Sequence, residues 1–334
     1  MADALLARLS YDPGRQDLAS IPWPKGLAPS PFPAGHASPS APLPRADVLV
    51  VTWTAAESRA MADVLTPGVH ITEWAHYAEH WDEYLPLLTG RSPAKFSRCM
   101  ANYHLTDIGS KRVLCVKSNL HLATDGTTAP VVKLWKQMVA EVQPKLVITT
   151  GTAGGIGETT VLGDVFVVNA AKFNCTKAFK DKPWAQQRFA QSGGLSIGPN
   201  VSLANDHLIP ANAGRLPSDL TPHAPSIWAS TGDVETVDYF AFADTDDSFG
   251  VIANDPQAHT EEMDDATLPL ALSQLGSSIP WLSIRNASDP EVPSSIGDIS
   301  AQKRWAAKIY EKYGYWTTVG SAIACWAAIA DLNP

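Results

Sequence analysis

Cysteine is scarce. Cys99, Cys115, Cys175 and Cys325 are the four thiols in 334 residues, far apart, with no C-x-x-C pair and no histidine at metal-ligand spacing. A disulfide frame or a zinc site is therefore not expected, and the thiols read as buried core residues. None of the nine histidines belongs to an H-E-x-x-H arrangement. His76 and His80 share the spacing, but Glu79 stands in the wrong place, so the pair reads as a solvated helix face. Charge is also sparse, at 18% of residues, with a net value of −9 and no basic run. An acidic surface without clustered Lys and Arg argues against a nucleic-acid partner. No apolar run reaches the length of a membrane span. The opening stretch MADALLARLSYDPGRQ carries Arg8 inside its only apolar segment, so no secretory leader is read there and a cytoplasmic location is expected. No internal repeat is visible.

What the chain does have is organised. Residues 22–45, PWPKGLAPSPFPAGHASPSAPLPR, are so rich in Pro, Ala, Ser and Gly that they read as an arm or linker. This divides the chain into a partly flexible N-terminal arm, 1–45, and one domain, 46–334. From Asp47 the sequence switches to DVLVVTWT, a continuous apolar run suited to a strand buried on both faces. AAESRAMADVL then favours a helix, and RVLCVKSNL a short strand. From Pro130 to Val142, the apolar residues Val131, Leu134, Trp135, Met138, Val139 and Val142 fall on one helical face. Pro144 closes that helix, and KLVITTG follows as a β-branched strand. Further strands are predicted at 164–173 and 281–288, with helices around 264–275 and over 299–331. The stretch 177–225, crowded with Gly, Pro, Asn and Ser, reads as long loops with short elements.

TTGTAGGIG, Thr149 to Gly157, is the most informative segment. Glycines after a strand let a backbone approach a ligand closely. The string T-G-x-x-x-G-x-G looks like a dehydrogenase cofactor fingerprint, but that motif needs a helix after the glycines to receive a pyrophosphate. Only Glu158 to Leu162 separate the cluster from Gly163-Asp164 and the next predicted strand, too few for the crossover of about a dozen residues that a parallel unit requires. No Tyr-x-x-x-Lys pair is present either. The segment reads as a tight strand-to-strand connection, and no dinucleotide cofactor or metal is expected.

TGTAGG followed by GDVFVV resembles the strand-loop-strand element of the nucleoside phosphorylase and nucleosidase superfamily, as does the preceding EVQPKLVITTG. The resemblance implies a three-layer α/β/α fold with a central mixed, partly barrel-like sheet. It places Gly151, Thr152, Ala153 and Gly154 beside the ribose and the nucleophile. Two more motifs follow in the family's order. Glu262-Met263-Asp264 is similar to its E-M-E-A, in which the second carboxylate grips the ribose hydroxyls and the Met packs against the sugar. A carboxylate suits a vicinal diol because it accepts two charge-assisted hydrogen bonds. The family's Glu is an Asp here, and Asp265 competes for the role. Arg285-Asn286-Ala287-Ser288-Asp289 resembles R-x-x-S-D at the end of a core strand, where Ser288 and Asp289 meet the base and the Asp protonates purine N7. Protonating the leaving base lowers the barrier to its departure from an oxocarbenium-like sugar.

After the first strand, Glu57 stands where the methylthioadenosine/S-adenosylhomocysteine nucleosidase branch keeps a Glu that activates water. The phosphorolytic branch places arginines near that strand and before the glycines. Here Thr149 and Thr150 precede Gly151, and Arg59 is the nearest cation to Glu57 in sequence. The resemblance therefore implies hydrolysis of a purine nucleoside, of adenine type, by a homo-oligomer. Phosphorolysis, and a non-catalytic nucleoside-binding or storage protein on the same fold, are the alternatives.

Overall fold

The computed structural model describes residues 18–33, 35, 37–191, 198–229 and 232–332. The first 17 residues of the predicted arm lie outside them. Thirteen strands form one mixed sheet. In chain order they are β1 (Ser30–Pro31), β2 (Val48–Thr52), β3 (Ala75–Tyr77), β4 (Ala101–Ile108), β5 (Lys111–Ser118), β6 (Leu146–Gly155) and β7 (Val165–Val168). Then come β8 (Ala170–Asn174), β9 (Arg188–Ala190), β10 (Ile227–Ala229), β11 (Asp233–Val237), β12 (Ala258–Glu262) and β13 (Trp281–Asp289). Four long helices flank the sheet: α1 (Ala55–Leu65), α2 (Pro130–Val142), α3 (Thr267–Leu275) and α4 (Ile299–Ala330).

The three layers follow from side-chain alternation. Along β2, Leu49 and Val51 enter one apolar cluster with the inner stripes of α2 and α3, whereas Val48 and Val50 enter another with α1 and the C-terminal half of α4. Successive side chains of a strand point to opposite faces, so an unbroken apolar run requires cover on both. Each such fully buried Val, Leu or Ile contributes roughly 1.5–3 kcal/mol. The predicted stripe of α2 is buried along its whole length. All four cysteines are buried and free.

β6 organises the sheet. It is parallel to β2 on one side and to β13 on the other, and beyond the end of β2 its glycine end pairs antiparallel with β12. From there the pairings run β13 to β7 on one side and β12 to β11 to β8 on the other. β7 and β8 are separated by Asn169 alone, although they belong to opposite arms of the sheet. Among the described residues no ladder joins β7 to β8, and the sheet is not closed.

Several expectations change here. The glycine cluster is not the strand-to-strand connection: β6 runs through it to Gly155, and the connection is the following stretch, 156–164. The 177–225 region, by contrast, keeps to the loops and short elements expected of it, the latter being Arg188–Ala190, Pro199–Leu203, a π turn Ala204–Leu208 and Ile209–Ala213, with Val201, Leu208 and Ile209 packed into the second cluster. His76 lies on β3, and His80 adopts a left-handed φ of 60° before a short helix, so they share no helix face. α3 begins at Thr267 rather than at 264, because Glu262 and Thr236 hold the backbone N–H groups of Asp264, Asp265 and Ala266 in a turn. Part of the Pro-rich segment lies along the body: Trp23 meets Trp326 at 4.4 Å between ring centroids, and the Trp326 indole N–H donates to the Leu27 carbonyl at 2.7 Å.

Candidate active site

A cavity of about 290 Å³ opens where β2, β6, β12 and β13 end, roofed by Phe240 and by Ala306 and Tyr310 of α4. Its volume is near the lower bound of about 300 Å³ common for small-molecule sites. Glu57, Thr152, Ala153, Gly154, Glu262, Met263, Asp264, Ser288 and Asp289 line it; Gly151, which Glu57 covers, and Asp265 do not.

Glu57 is placed by the start of α1. Thr54 is the N-cap of a capping box: its hydroxyl accepts from the Glu57 N–H, and Glu57 Oε2 accepts from the Thr54 N–H at 2.8 Å. The same Oε2 accepts from the Thr52 hydroxyl at 2.7 Å and the Trp53 N–H at 2.9 Å. The other oxygen, Oε1, accepts from the Thr152 N–H at 2.9 Å and the Thr152 hydroxyl at 2.6 Å. These contacts explain the first glycine of the cluster. A Cβ on Gly151, whose φ is +143°, would lie 2.5 Å from Glu57 Cδ. The glycine therefore serves a carboxylate from elsewhere in the chain rather than a ligand's approach to the backbone. Gly154 plays the same part for Glu261, whose carboxyl would collide with any Cβ there.

Burial alone would raise the Glu57 pKa. The Arg285 charge and the hydrogen bonds from Thr152 and Thr54 outweigh it and hold the carboxyl below its ordinary value, so Glu57 is ionised. Asp289, at the end of β13, has no such support. Its Oδ1 is 2.9 Å from the Ser288 hydroxyl, which also lies 3.2 Å from the Ala153 carbonyl. Burial pushes Asp289 up to about 7, with only the Ser288 contact opposing. One cavity wall thus carries a carboxylate and a carboxyl that keeps its proton up to about neutrality.

The acidic motif divides in an unexpected way. Asp264 faces the cavity, with Oδ1 accepting from the Leu122 N–H at 2.8 Å and Oδ2 lying 3.2 Å from His121 Nδ1. Asp265 turns away into an ion pair with Arg285 and a hydrogen bond from Ser283. Glu262 touches the cavity, but its carboxyl is taken up by Thr236, the turn backbone and Arg285 at 3.3 Å. Met263 forms part of the wall between them.

Sequence reasoning missed four groups. Arg285 was quoted only as the first letter of a motif, yet it is buried, paired with Asp265 and Glu262, and stacked 5.0 Å from the Trp53 ring centroid. Its position directly after the apolar-rich WLSI is the signal that could have found it, since a buried guanidinium requires carboxylate partners. His121, Tyr310 and Glu261 had no local signal. Arg59 is not at the cavity and lies over the Tyr315 ring.

No family model and no curated protein matches this sequence. Solved structures do match. A putative 5'-methylthioadenosine/S-adenosylhomocysteine nucleosidase from Francisella philomiragia shares 14% identity at a TM-score of 0.52, over 85% of this chain and 99% of that one. The same type of nucleosidase from Helicobacter pylori shares 11% identity at 0.51, over 87% and 100%. A futalosine hydrolase mutant from Helicobacter pylori shares 10% at 0.51, over 86% and 100%. The fold is that of these nucleosidases. At such identities the likeness establishes architecture, and the chemistry must be argued from the side chains. Among the described residues, no helix is long and apolar enough to cross a membrane.

Proposed function

We propose that this protein hydrolyses the N-glycosidic bond of a purine nucleoside. The reading rests on the pair of carboxyls that line one cavity, Glu57 taking five hydrogen bonds that with Arg285 keep its pKa low, and Asp289 buried with its pKa raised to about 7. Acid–base catalysis of glycoside cleavage needs such a division. The purine lies with N7 against Asp289, whose proton moves to N7 as the C1′–N9 bond breaks and its electrons pass to the base. The base leaves neutral, and positive charge develops on the sugar. Asp264 holds the ribose hydroxyls, and Met263 packs against the ring. Five hydrogen bonds already occupy Glu57, so the attacking water meets Thr152. As the water oxygen bonds to C1′, its proton passes to the Thr152 hydroxyl and that group's own proton moves to Glu57 Oε1.

The guanidinium count, with the His121 imidazole already facing Asp264, favours water over phosphate. Arg285 is the guanidinium of the cavity wall, and Asp265 and Glu262 neutralise it. A phosphate dianion would enter beside Glu57 with no unpaired guanidinium to receive it. The deciding experiment supplies purine nucleosides in phosphate-free buffer and identifies the products. Free base and free ribose, with little acceleration by added phosphate, support the reading. Ribose 1-phosphate formed at a rate that saturates in phosphate overturns hydrolysis, and absence of cleavage across the panel leaves a binding protein.

A further inference from the structure

Two side chains of the cavity wall carry a buried polar atom with no hydrogen-bond partner among the described residues: the indole nitrogen of Trp53 and Oε2 of Glu261. An unpaired buried polar group costs about 1–3 kcal/mol, so a natural chain that keeps one in a ligand cavity has a use for it. Glu261 is the more telling of the two. It is 2% exposed, its Oε1 already accepts from the Ala243 N–H at 2.9 Å, and its carboxyl lies over Gly154, where only a glycine leaves room.

Strand register gives the free oxygen its address. On β12, Glu261 stands opposite Gly154 of β6, and on β13, after a shift in pairing, Asp289 stands opposite the same Gly154. Neighbouring strands are about 5 Å apart, so the two carboxyl side chains start from either side of one residue that contributes no side chain of its own. Both line the same cavity. Whatever lies against Asp289 therefore lies within reach of Glu261. Under the nucleosidase reading, on which this inference rests, that is the base and not the sugar: Glu57 and Thr152 mark the sugar end, two residues earlier on β6 than Gly154.

We propose that Glu261 is a base-recognition residue, whose Oε2 hydroxyl donates a hydrogen bond to a lone pair on the edge of the purine while Oε1 accepts from Ala243. The assignment of donor rather than acceptor follows from its surroundings. Burial pushes the carboxyl well above its ordinary range, and any ionisation of Asp289 or Glu235 would push it further. A neutral carboxylic acid presents one acceptor and one donor. The acceptor is used and the donor is free. Such a group favours a purine with a ring nitrogen or carbonyl at that edge and discriminates against an isostere bearing C–H there.

The test measures free bases, which have no sugar to confuse the contact. Calorimetric affinities of adenine, hypoxanthine, 1-deazaadenine and 3-deazaadenine are compared for the wild type, Glu261→Gln, Glu261→Met and Glu261→Val at a pH below 7. The amide of Glu261→Gln keeps an acceptor for Ala243 and an N–H donor, so its affinities should stay within about threefold of the wild type. The Met and Val variants should lose about tenfold or more for the preferred base, the usual worth of one hydrogen bond to a buried partner. They should also no longer distinguish that base from the analogue lacking the contacted lone pair. Two apolar replacements of different shape keep the test open if one fails to fold. If nucleosides are cleaved and the apolar variants bind and rank free bases as the wild type does, this inference falls and the nucleosidase reading stands. Damage from Gln equal to that from Met overturns the donor assignment, and a wild type that neither binds purines nor cleaves their nucleosides overturns both.

Discussion

Replacing Asp289 by asparagine should inactivate the protein and, above neutrality, make it more stable. In the fold the Asp289 pKa rises from 3.8 to about 7 through burial. Such a rise corresponds to about 4 kcal/mol of differential stability between the two protonation states. Because the folded value is the raised one, the contribution is intact below pH 3.8 and is lost as pH climbs through 7. At pH 8.5 the wild type pays nearly all of it, whereas the neutral amide pays none and keeps a contact with Ser288. Denaturant unfolding should therefore show Asp289→Asn more stable by about 2–4 kcal/mol at pH 8.5, with no advantage near pH 4. Comparing the variants at each pH cancels most of the similar contributions of Glu261 and Glu262, whose pKa values are also raised by burial. Turnover should fall at least about a hundredfold, the usual worth of a general acid. A stability difference independent of pH, or one favouring the wild type in alkali, would refute the burial argument.

Gly151→Ala would bring a methyl within 2.5 Å of Glu57 Cδ at a φ of +143°; unfolding should show a loss of about 2–4 kcal/mol, and turnover should fall as Glu57 is displaced. Arg285→Met leaves Asp265 and Glu262 buried without their counter-ion, and a loss of about 3–5 kcal/mol in denaturant unfolding is expected. NAD and NADP should show no calorimetric binding at submillimolar concentration, because β6 is followed by a short connection and not by a helix that could receive a pyrophosphate.

The layers and the two ends of the proposed chemistry were legible because their signals are local. β2 is a continuous apolar run, α2 carries a clean helical stripe, α1 follows helix propensity and β13 opens on the apolar-rich WLSI; Glu57 stands in the first turn of the helix after β2, and Asp289 at the end of β13. β11 and β12 were not found, for a physical reason. Their residues Asp233, Glu235, Thr236, Glu261 and Glu262 are buried polar groups, and a hydropathy pattern has no way to represent partners brought from elsewhere, such as Arg188 for Asp233 and Arg285 for Glu262. The glycines misled in the same manner. Their reason is two carboxyls from distant positions in the chain, Glu57 over Gly151 and Glu261 over Gly154, and a sequence displays the space without displaying its occupant.

The pH dependence of kcat/KM for purine nucleoside cleavage, measured in phosphate-free buffer, tests the division of labour between Glu57 and Asp289 most directly. Glu57 has its pKa held below the ordinary 4.5, and Asp289 has its own raised to about 7. The rate should therefore stay level from pH 5 up to neutrality and then fall about tenfold per unit as Asp289 loses its proton. Glu57→Gln should remove most activity across the whole range. A rate that instead climbs through pH 7, or full activity in Glu57→Gln, would contradict the assignment of Asp289 as acid and Glu57 as base.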